Sequence, residues 1–199
     1  MNRAASLLAG LLLPLAAFAA DTRFTVDDFV RLAAVSGPDF SPDGGYLVYS
    51  VEAANLETDS PVSDLWRVRW DGSDRRALTN TPGANEWNPT YSPDGRFIAF
   101  LSDRGGKDAV TQVWLLPAAG GEAQAVTKFP GGVVDYAWSP DSSRLAVIAT
   151  DPERPEGEKA PPKPAPIVID RFQFKEDFTG LLTERRQHLY VVDVNTQEA

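Results

Sequence analysis

Phe40-Ser41-Pro42-Asp43-Gly44, Tyr91-Ser92-Pro93-Asp94-Gly95 and Trp138-Ser139-Pro140-Asp141-Ser142 are three copies of one phrase, an aromatic residue followed by Ser-Pro-Asp. The serines lie 51 and 47 residues apart. In each copy Pro presets φ for a turn, Asp can bond the backbone two residues on, and Gly supplies a positive φ before the next strand. The third copy has Ser142 where Gly should sit, which weakens the turn but keeps its spacing.

The flanks repeat as well. Each aromatic ends a short strand, and the turn leads into Tyr46–Ser50, Arg96–Phe100 or Arg144–Ile148, runs dense in β-branched and aromatic residues. A third strand recurs as Leu65–Val68, Val113–Leu116 and Leu189–Val192, closed by Asp71-Gly72, Gly120-Gly121 and Asn195-Thr196. A fourth is visible twice, as Arg76–Thr79 and Gln124–Thr127. Four antiparallel strands in a unit of about fifty residues mark a β-propeller blade. An ordinary β-sandwich would not repeat the aromatic, the turn and the third strand together in order. The fold class expected is all-β: an incomplete propeller of about three four-stranded blades, at about 35–80, 81–130 and 131–199.

Residues 1–20 stand outside this pattern. Arg3 precedes an apolar run from Ala4 to Leu15, then Ala17-Phe18-Ala19 in the small-x-small arrangement of a signal peptidase site. The expectation is a secretory signal cut after Ala19 or Ala20, because the run is shorter than the roughly twenty residues of a spanning helix. No Cys sits at the cleavage point for a lipid anchor, so a periplasmic or secreted product is expected. The chain holds no cysteine, so no disulfide staples the exported fold. Its net charge is −9 with Lys and Arg scattered, which argues against nucleic acid as a partner, and no basic amphipathic stretch suggests a membrane surface. Thr25-Val26-Asp27-Asp28 resembles an N-cap with an acidic first turn, and Val26, Phe29, Val30 and Ala33 recur at helical spacing. A lead-in helix within 21–34, packed on the propeller edge, is expected.

The third unit carries an insertion. From Ser41 to Trp66 and from Ser92 to Trp114 the separations are 25 and 22 residues, but from Ser139 to Tyr190 it is 51. The excess opens with 151–166, which holds six prolines in sixteen residues and reads as an extended exposed loop. The alternating segment Ile167–Phe174 then reads as a strand.

Little in the chain carries chemistry. There is no Gly-x-Ser-x-Gly elbow, no His/Cys/Asp grouping with metal-ligand spacing and no phosphate-cradling Gly loop, so no catalytic residue, metal or cofactor is assigned. The lone histidine, His188, sits in Gln187-His188-Leu189-Tyr190 as an ordinary strand residue. The Ser-x-Asp of each turn lacks the residue that a sialidase Asp box places between Asp and Gly. One charged cluster, Asp170, Arg171, Glu176 and Asp177, flanks the aromatic strand of the insertion. Such a cluster is either a solvated face or a binding site, in which Arg171, Glu176 and Asp177 contact substrate and the acidic groups hold a peptide's amino terminus.

The Ser-Pro-Asp-Gly repeats resemble those of TolB-type propellers and of the propeller domain of prolyl oligopeptidase family serine peptidases. The lead-in segment, the Pro-rich insertion, the run Pro166–Asp177 and Arg185–Val194 are closer to the peptidases, similar to exported members of the acylaminoacyl-peptidase and dipeptidyl-peptidase type. The resemblance implies a propeller that gates peptide access to an α/β-hydrolase domain bearing Ser, Asp and His. No position here matches that triad. The expectation is therefore the amino-terminal part of a longer peptidase, its partner the C-terminal hydrolase domain and its substrates peptides. A non-enzymatic TolB-like binding propeller is the alternative. Open end faces bearing Trp66, Trp87, Trp114 and Trp138 are expected where the ring is unfinished.

Overall fold

The computed structural model describes residues 24–106, 109–152, 168–169, 172–176, 180–181 and 185–199. A single helical turn, α1 (Val26–Phe29), precedes β1 (Ala33–Phe40), β2 (Tyr46–Asn55), β3 (Ser60–Arg69) and β4 (Arg76–Ala77), which form one antiparallel sheet in sequence order. A second sheet follows in the same order: β5 (Glu86–Tyr91), β6 (Phe97–Ser102), β7 (Gln112–Pro117) and β8 (Gln124–Ala125). The third is built from β9 (Val133–Trp138) and β10 (Arg144–Thr150). Then comes a two-stranded pair, β11 (Lys175–Glu176) with β12 (Gly180–Leu181), before β13 (Gln187–Asp193) returns to lie against β10. The sheets stack without closing into a ring, as an incomplete propeller does.

Burial along the strands follows place in the stack. β6 is buried at five consecutive positions because sheets cover both of its faces. β3 buries alternate residues, Ser63, Leu65 and Arg67, because the second sheet covers that face. β13 buries only Val192, and Leu189 and Val191 on its other face are 72% and 54% exposed.

Two apolar seams join the sheets. Val48 and Leu65 meet Tyr91, Ile98, Phe100 and Leu116, with Trp114 half-buried against them. Ala99, Leu101, Val113 and Leu115 meet Tyr136, Leu145, Val147 and Val192, flanked by Trp87 and Trp138. Trp87, Trp114 and Trp138 therefore fill seams and do not mark open ends as the sequence suggests. Trp66 is half-buried under the Arg75 guanidinium, 4.9 Å from its ring. The open end face is aliphatic, carried by Leu189 and Val191.

Polar ties cross the same seams. Asp39 Oδ2 accepts the Tyr91 N–H at 2.7 Å. The Tyr136 hydroxyl lies 2.6 Å from the Asn88 carbonyl and 2.7 Å from that of Ala99, and accepts from the Thr90 hydroxyl at 3.0 Å. Burial pushes this phenol well above its usual range, so it stays a neutral donor.

The three Ser-Pro-Asp turns are the same structure. In the first, Ser41 Oγ donates to Asp43 Oδ1 at 2.6 Å and accepts the Tyr46 N–H at 2.9 Å, while Gly44 N–H returns to the Ser41 carbonyl at 2.7 Å. Ser92 and Ser139 repeat this with Asp94 and Asp141, at 2.7 and 2.6 Å, and with the amides of Phe97 and Arg144. The serine is thus a relay between the Asp and the following strand, a role that turn propensities alone do not assign. Gly44 and Gly95 take φ of 70° and 73°, and Ser142 is held at 62°. Ser142 has a reason to be there: its Oγ accepts the Asp94 N–H of the neighbouring turn at 3.0 Å. Ser142→Gly loses that bond but relieves the left-handed backbone, whereas Ser142→Ala loses the bond and keeps the strain. Chemical denaturation should find the alanine variant less stable than the glycine variant by about 1 kcal/mol. Equal stabilities would show that the turn holds no strain at 142.

The same turns set an acid limit. Asp94 is held at about 2, first by the Ser92 hydroxyl and then by donors from Arg96. Asp141 is held at about 2 by the Ser139 hydroxyl and then by the Ser143 amide and hydroxyl. Unfolded, each titrates near ~3.9. A carboxyl with a depressed folded value contributes stability that is complete above the unfolded value and is lost as pH falls through the folded one. The thermal midpoint should therefore drop between about pH 4 and about pH 2, and Asp94→Asn/Asp141→Asn should flatten that slope. An unchanged slope in the double variant would assign the acid loss elsewhere.

Two segments depart from the expectation. The helix is one turn long, closed by reciprocal bonds between Thr25 and Asp28 (2.9 and 3.3 Å), and buries none of its residues. It stops because Ala33, Ala34 and Val35 pair with Ala53, Glu52 and Val51 of β2, which takes the remaining residues into the sheet. The alternating segment around Ile167–Phe174 has no strand among its described residues. Val168 and Phe172 are 81% and fully exposed, and the hairpin begins only at Lys175; Ile167, Asp170 and Arg171 lie outside the described residues.

Candidate functional site

The Ser-Pro-Asp turns gather at one end of the stack, where Asp94 meets Ser142 and Gly95 faces Pro42. Strands that leave this end reach the other, so the β2–β3, β6–β7 and β10–β13 connections share the opposite face. The insertion rises from there, and it is the candidate functional element of the chain.

Its neck is tied at Asp151. The Asp151 N–H donates to the Arg186 carbonyl at 2.8 Å, and Asp151 Oδ2 accepts the Arg186 N–H at 3.0 Å. His188 Nε2 lies 3.1 Å from the other carboxylate oxygen. Arg185 donates to the Asp151 carbonyl at 2.7 Å and to the Gly131 carbonyl at 3.1 Å, binding the neck to the start of β9. Gly131 lies so close to the neck that a Cβ there would collide with the Thr150 carbonyl oxygen. His188 is thus a strand residue of β13 that also fastens the insertion. It contacts Asp151 and packs T-shaped against the Tyr190 ring, an arrangement that holds the neck.

The residues expected to bind substrate are placed as follows. Asp170, Arg171 and Asp177 lie outside the described residues, and so does the side chain of Glu176, whose backbone pairs with Gly180 in the β11–β12 hairpin. Among the described residues of the insertion, Ile169, Phe172 and Phe174 are exposed.

The same end of the stack holds a buried ion pair that the sequence pattern does not reveal. Glu86, 0% exposed at the start of β5, receives Arg104 Nε at 3.0 Å and Nη2 at 2.7 Å on one carboxylate oxygen. The guanidinium lies over the rings of Phe100 and Trp114, each 5.1 Å away. Next to it Asn85 N–H donates to Asp103 Oδ1 at 2.6 Å, while Asn85 Oδ1 accepts the Ser63 N–H at 3.1 Å and ties the first two sheets. Burial raises the Asp64 carboxyl above its usual range, and the charge of Glu86 adds to the shift. The only cue in the sequence is an Arg two residues past a strand that is apolar up to its last residue, Ser102. Among the described residues no group of three or more His, Cys, Asp or Glu could hold a metal ion.

Comparison with known proteins decides the family. The model of the TolB beta propeller domain matches residues 15–156. The chain belongs to the TolB-type β-propeller family. Its relatives include the "Uncharacterized peptidase YuxL" of Bacillus subtilis (strain 168), 30% identical over an alignment of 190 residues that covers 87% of this chain but 27% of that protein. Dipeptidyl-peptidase 5 of Porphyromonas gingivalis is 33% identical over 61% of this chain and 17% of its own length. This TolB-type chain therefore spans about a quarter or less of these relatives. Among solved structures, the acylaminoacyl peptidase of Pyrococcus horikoshii superposes with a TM-score of 0.66 at 21% identity, over 85% of this chain and 25% of that one. At that identity the likeness concerns the fold. A putative TolB of Agrobacterium tumefaciens superposes with a TM-score of 0.50 at 26% identity, over 62% of this chain and 41% of that one.

Proposed function

We propose that this chain is the propeller portion of an exported serine peptidase acting on peptides. In this arrangement residues 1–20 are the export signal, the three sheets with their connections are blades at about 35–80, 81–130 and 131–199, and an α/β-hydrolase domain later in the same protein carries Ser, Asp and His. The propeller restricts access, so that peptides and unfolded segments reach the nucleophile and folded proteins do not. The observation that carries this is the extended identity to a peptidase, 30% over 87% of the chain, confined to 27% of that peptidase's length. The aliphatic face of Leu189 and Val191 supports it, since a following blade would bury that face. So does the tied neck, whose bonds at Asp151 and Arg186 start the insertion at the end opposite the turns; in this reading Arg171, Glu176 and Asp177 of the insertion meet a peptide's amino terminus.

A TolB-like periplasmic propeller that binds proteins without catalysis is the second possibility, favoured by the family match over residues 15–156. Peptide hydrolysis separates the two. The full-length gene product should cleave chromogenic peptides, and residues 21–199 alone should not. Hydrolysis by residues 21–199 would overturn the division of labour, and an inactive, folded full-length product would favour the binding propeller. Glu176→Gln/Asp177→Asn in the full-length product should raise KM for peptides with a free amino terminus and leave blocked peptides unchanged. Equal losses for both would return the pair to a solvated face.

A further inference from the structure

Because the three sheets repeat one plan, a residue that breaks the plan is informative. Trp66 of β3 and Trp114 of β7 both pair with an alanine of the next strand, Ala77 and Ala125, and Tyr190 of β13 pairs with Val147 as Trp114 pairs with Phe100. The residue after each aromatic faces the following seam. In β7 it is Leu115, within the apolar seam between the second and third sheets, and in β13 it is Val191. In β3 it is Arg67, 8% exposed. A guanidinium stands where the other repeats place an aliphatic side chain.

Its charge is incompletely answered. Arg67 Nη2 reaches Asp74 Oδ2 at 3.3 Å, a long contact to a carboxylate that is 41% exposed, and the guanidinium lies 4.1 Å from the centre of the Tyr46 ring. Its buried Nε–H has no acceptor. A buried cation with an unused donor is costly unless something completes its hydrogen bonds. Arg67 also lines a cavity of about 390 Å³ together with Tyr46, Tyr91, Ser41 and Gly95. The matching cavity between the second and third sheets, about 310 Å³, has Phe97 and Leu115 in the places of Tyr46 and Arg67. At these two positions the first seam has a charge and a hydroxyl where the second has apolar side chains, and the second cavity carries its charges at Arg96 and Glu122 instead. Tyr91 and Arg67 line the same cavity, and burial pushes the Tyr91 phenol above its usual range while the charge of Arg67 acts against that shift.

We propose that the cavity between the first two sheets binds a carboxylate, held on the planar edge of Arg67 between the rings of Tyr46 and Tyr91. The guanidinium fork matches two carboxylate oxygens, and the unused Nε–H supplies one of the two donors. Asp43 and Asp94 line the same cavity. Each already receives a serine hydroxyl and a backbone amide, so neither neutralises Arg67 directly, and their charges select against phosphate or sulfate. A singly charged, flat oxyanion remains: a small free acid or the C-terminal carboxylate of a peptide. The site lies at the end opposite the insertion and does not depend on the peptidase assignment.

The test follows the thermal midpoint of the full chain at constant ionic strength, titrated with acetate, trialanine, trialanine amide or inorganic phosphate. Acetate or trialanine should raise the midpoint saturably, with the amide silent and phosphate weaker. A larger shift with trialanine assigns the peptide terminus, and an equal or larger one with acetate assigns a small acid. Arg67→Leu, which copies the next repeat, should abolish the shift while leaving the ligand-free midpoint unchanged or higher. Arg67→Lys keeps the charge without the fork and should weaken binding by about tenfold or more. The proposal is overturned if neither carboxylate shifts the wild-type midpoint, if the shift survives in Arg67→Leu, or if phosphate matches acetate. Should Arg67→Leu not fold, an undiminished shift in Arg67→Lys overturns it equally.

Discussion

Glu86→Ala is expected to destabilise the fold by about 3–5 kcal/mol, the cost of leaving a buried cation without its counter-ion. Glu86 is wholly buried and both contacts of Arg104 fall on a single one of its oxygens, so its removal takes away both bonds at once. The pair itself is not a large net gain, because both charges left water to form it. Glu86→Leu combined with Arg104→Met should therefore recover most of the loss, and denaturant unfolding of the single and double variants measures both quantities. A loss below about 1 kcal/mol for Glu86→Ala would mean that Arg104 reaches solvent when freed.

Phe100→Ala should cost a similar ~3–5 kcal/mol for a different reason. Phe100 is 0% exposed at the centre of the first seam, against Val48, Leu65, Tyr91 and Ile98, and strands lie on either side of it. Truncation leaves a cavity in a sheet that cannot shift to fill it. It also removes one of the two aromatic faces on which Arg104 rests. The losses from Phe100→Ala and Glu86→Ala should consequently be less than additive in the double variant, by at least about 0.5 kcal/mol. Full additivity would separate the ion pair from the seam.

What the sequence revealed and what it hid divide by the range of the physics. The Ser-Pro-Asp turns are legible because their hydrogen bonds close within five residues, so composition and spacing suffice. Ser142 looks like a damaged Gly from inside its own turn. Its function becomes visible only with Asp94 beside it, a neighbour 48 residues away. Glu86 and Arg104 likewise meet across two strands, and nothing in either flank announces the pair. Arg67 reads as one more polar residue in an alternating strand until the stacking of sheets shows which face it occupies. The cap at Thr25 is legible, but the helix ends at Phe29, because periodicity cannot weigh a helix against a strand partner supplied by β2. A large apolar residue in an unfinished ring suggests an open end. The pleat sends Trp87, Trp114 and Trp138 into the seams instead.

The insertion is where fold and function meet. Its proline-rich opening and its charged aromatic segment are plain in the sequence, and the neck at Asp151, Arg185 and His188 gives it a fixed point of departure. In the proposed function the catalytic serine belongs to a hydrolase domain later in the same protein.

One labelling experiment tests that directly. The full-length gene product is treated with a fluorophosphonate probe, which bonds covalently to an activated serine, and the modified peptide is mapped by mass spectrometry. A labelled serine beyond residue 199, within a Gly-x-Ser-x-Gly turn, is the predicted result. A folded product that takes up no probe, or a labelled serine within residues 1–199, would contradict it.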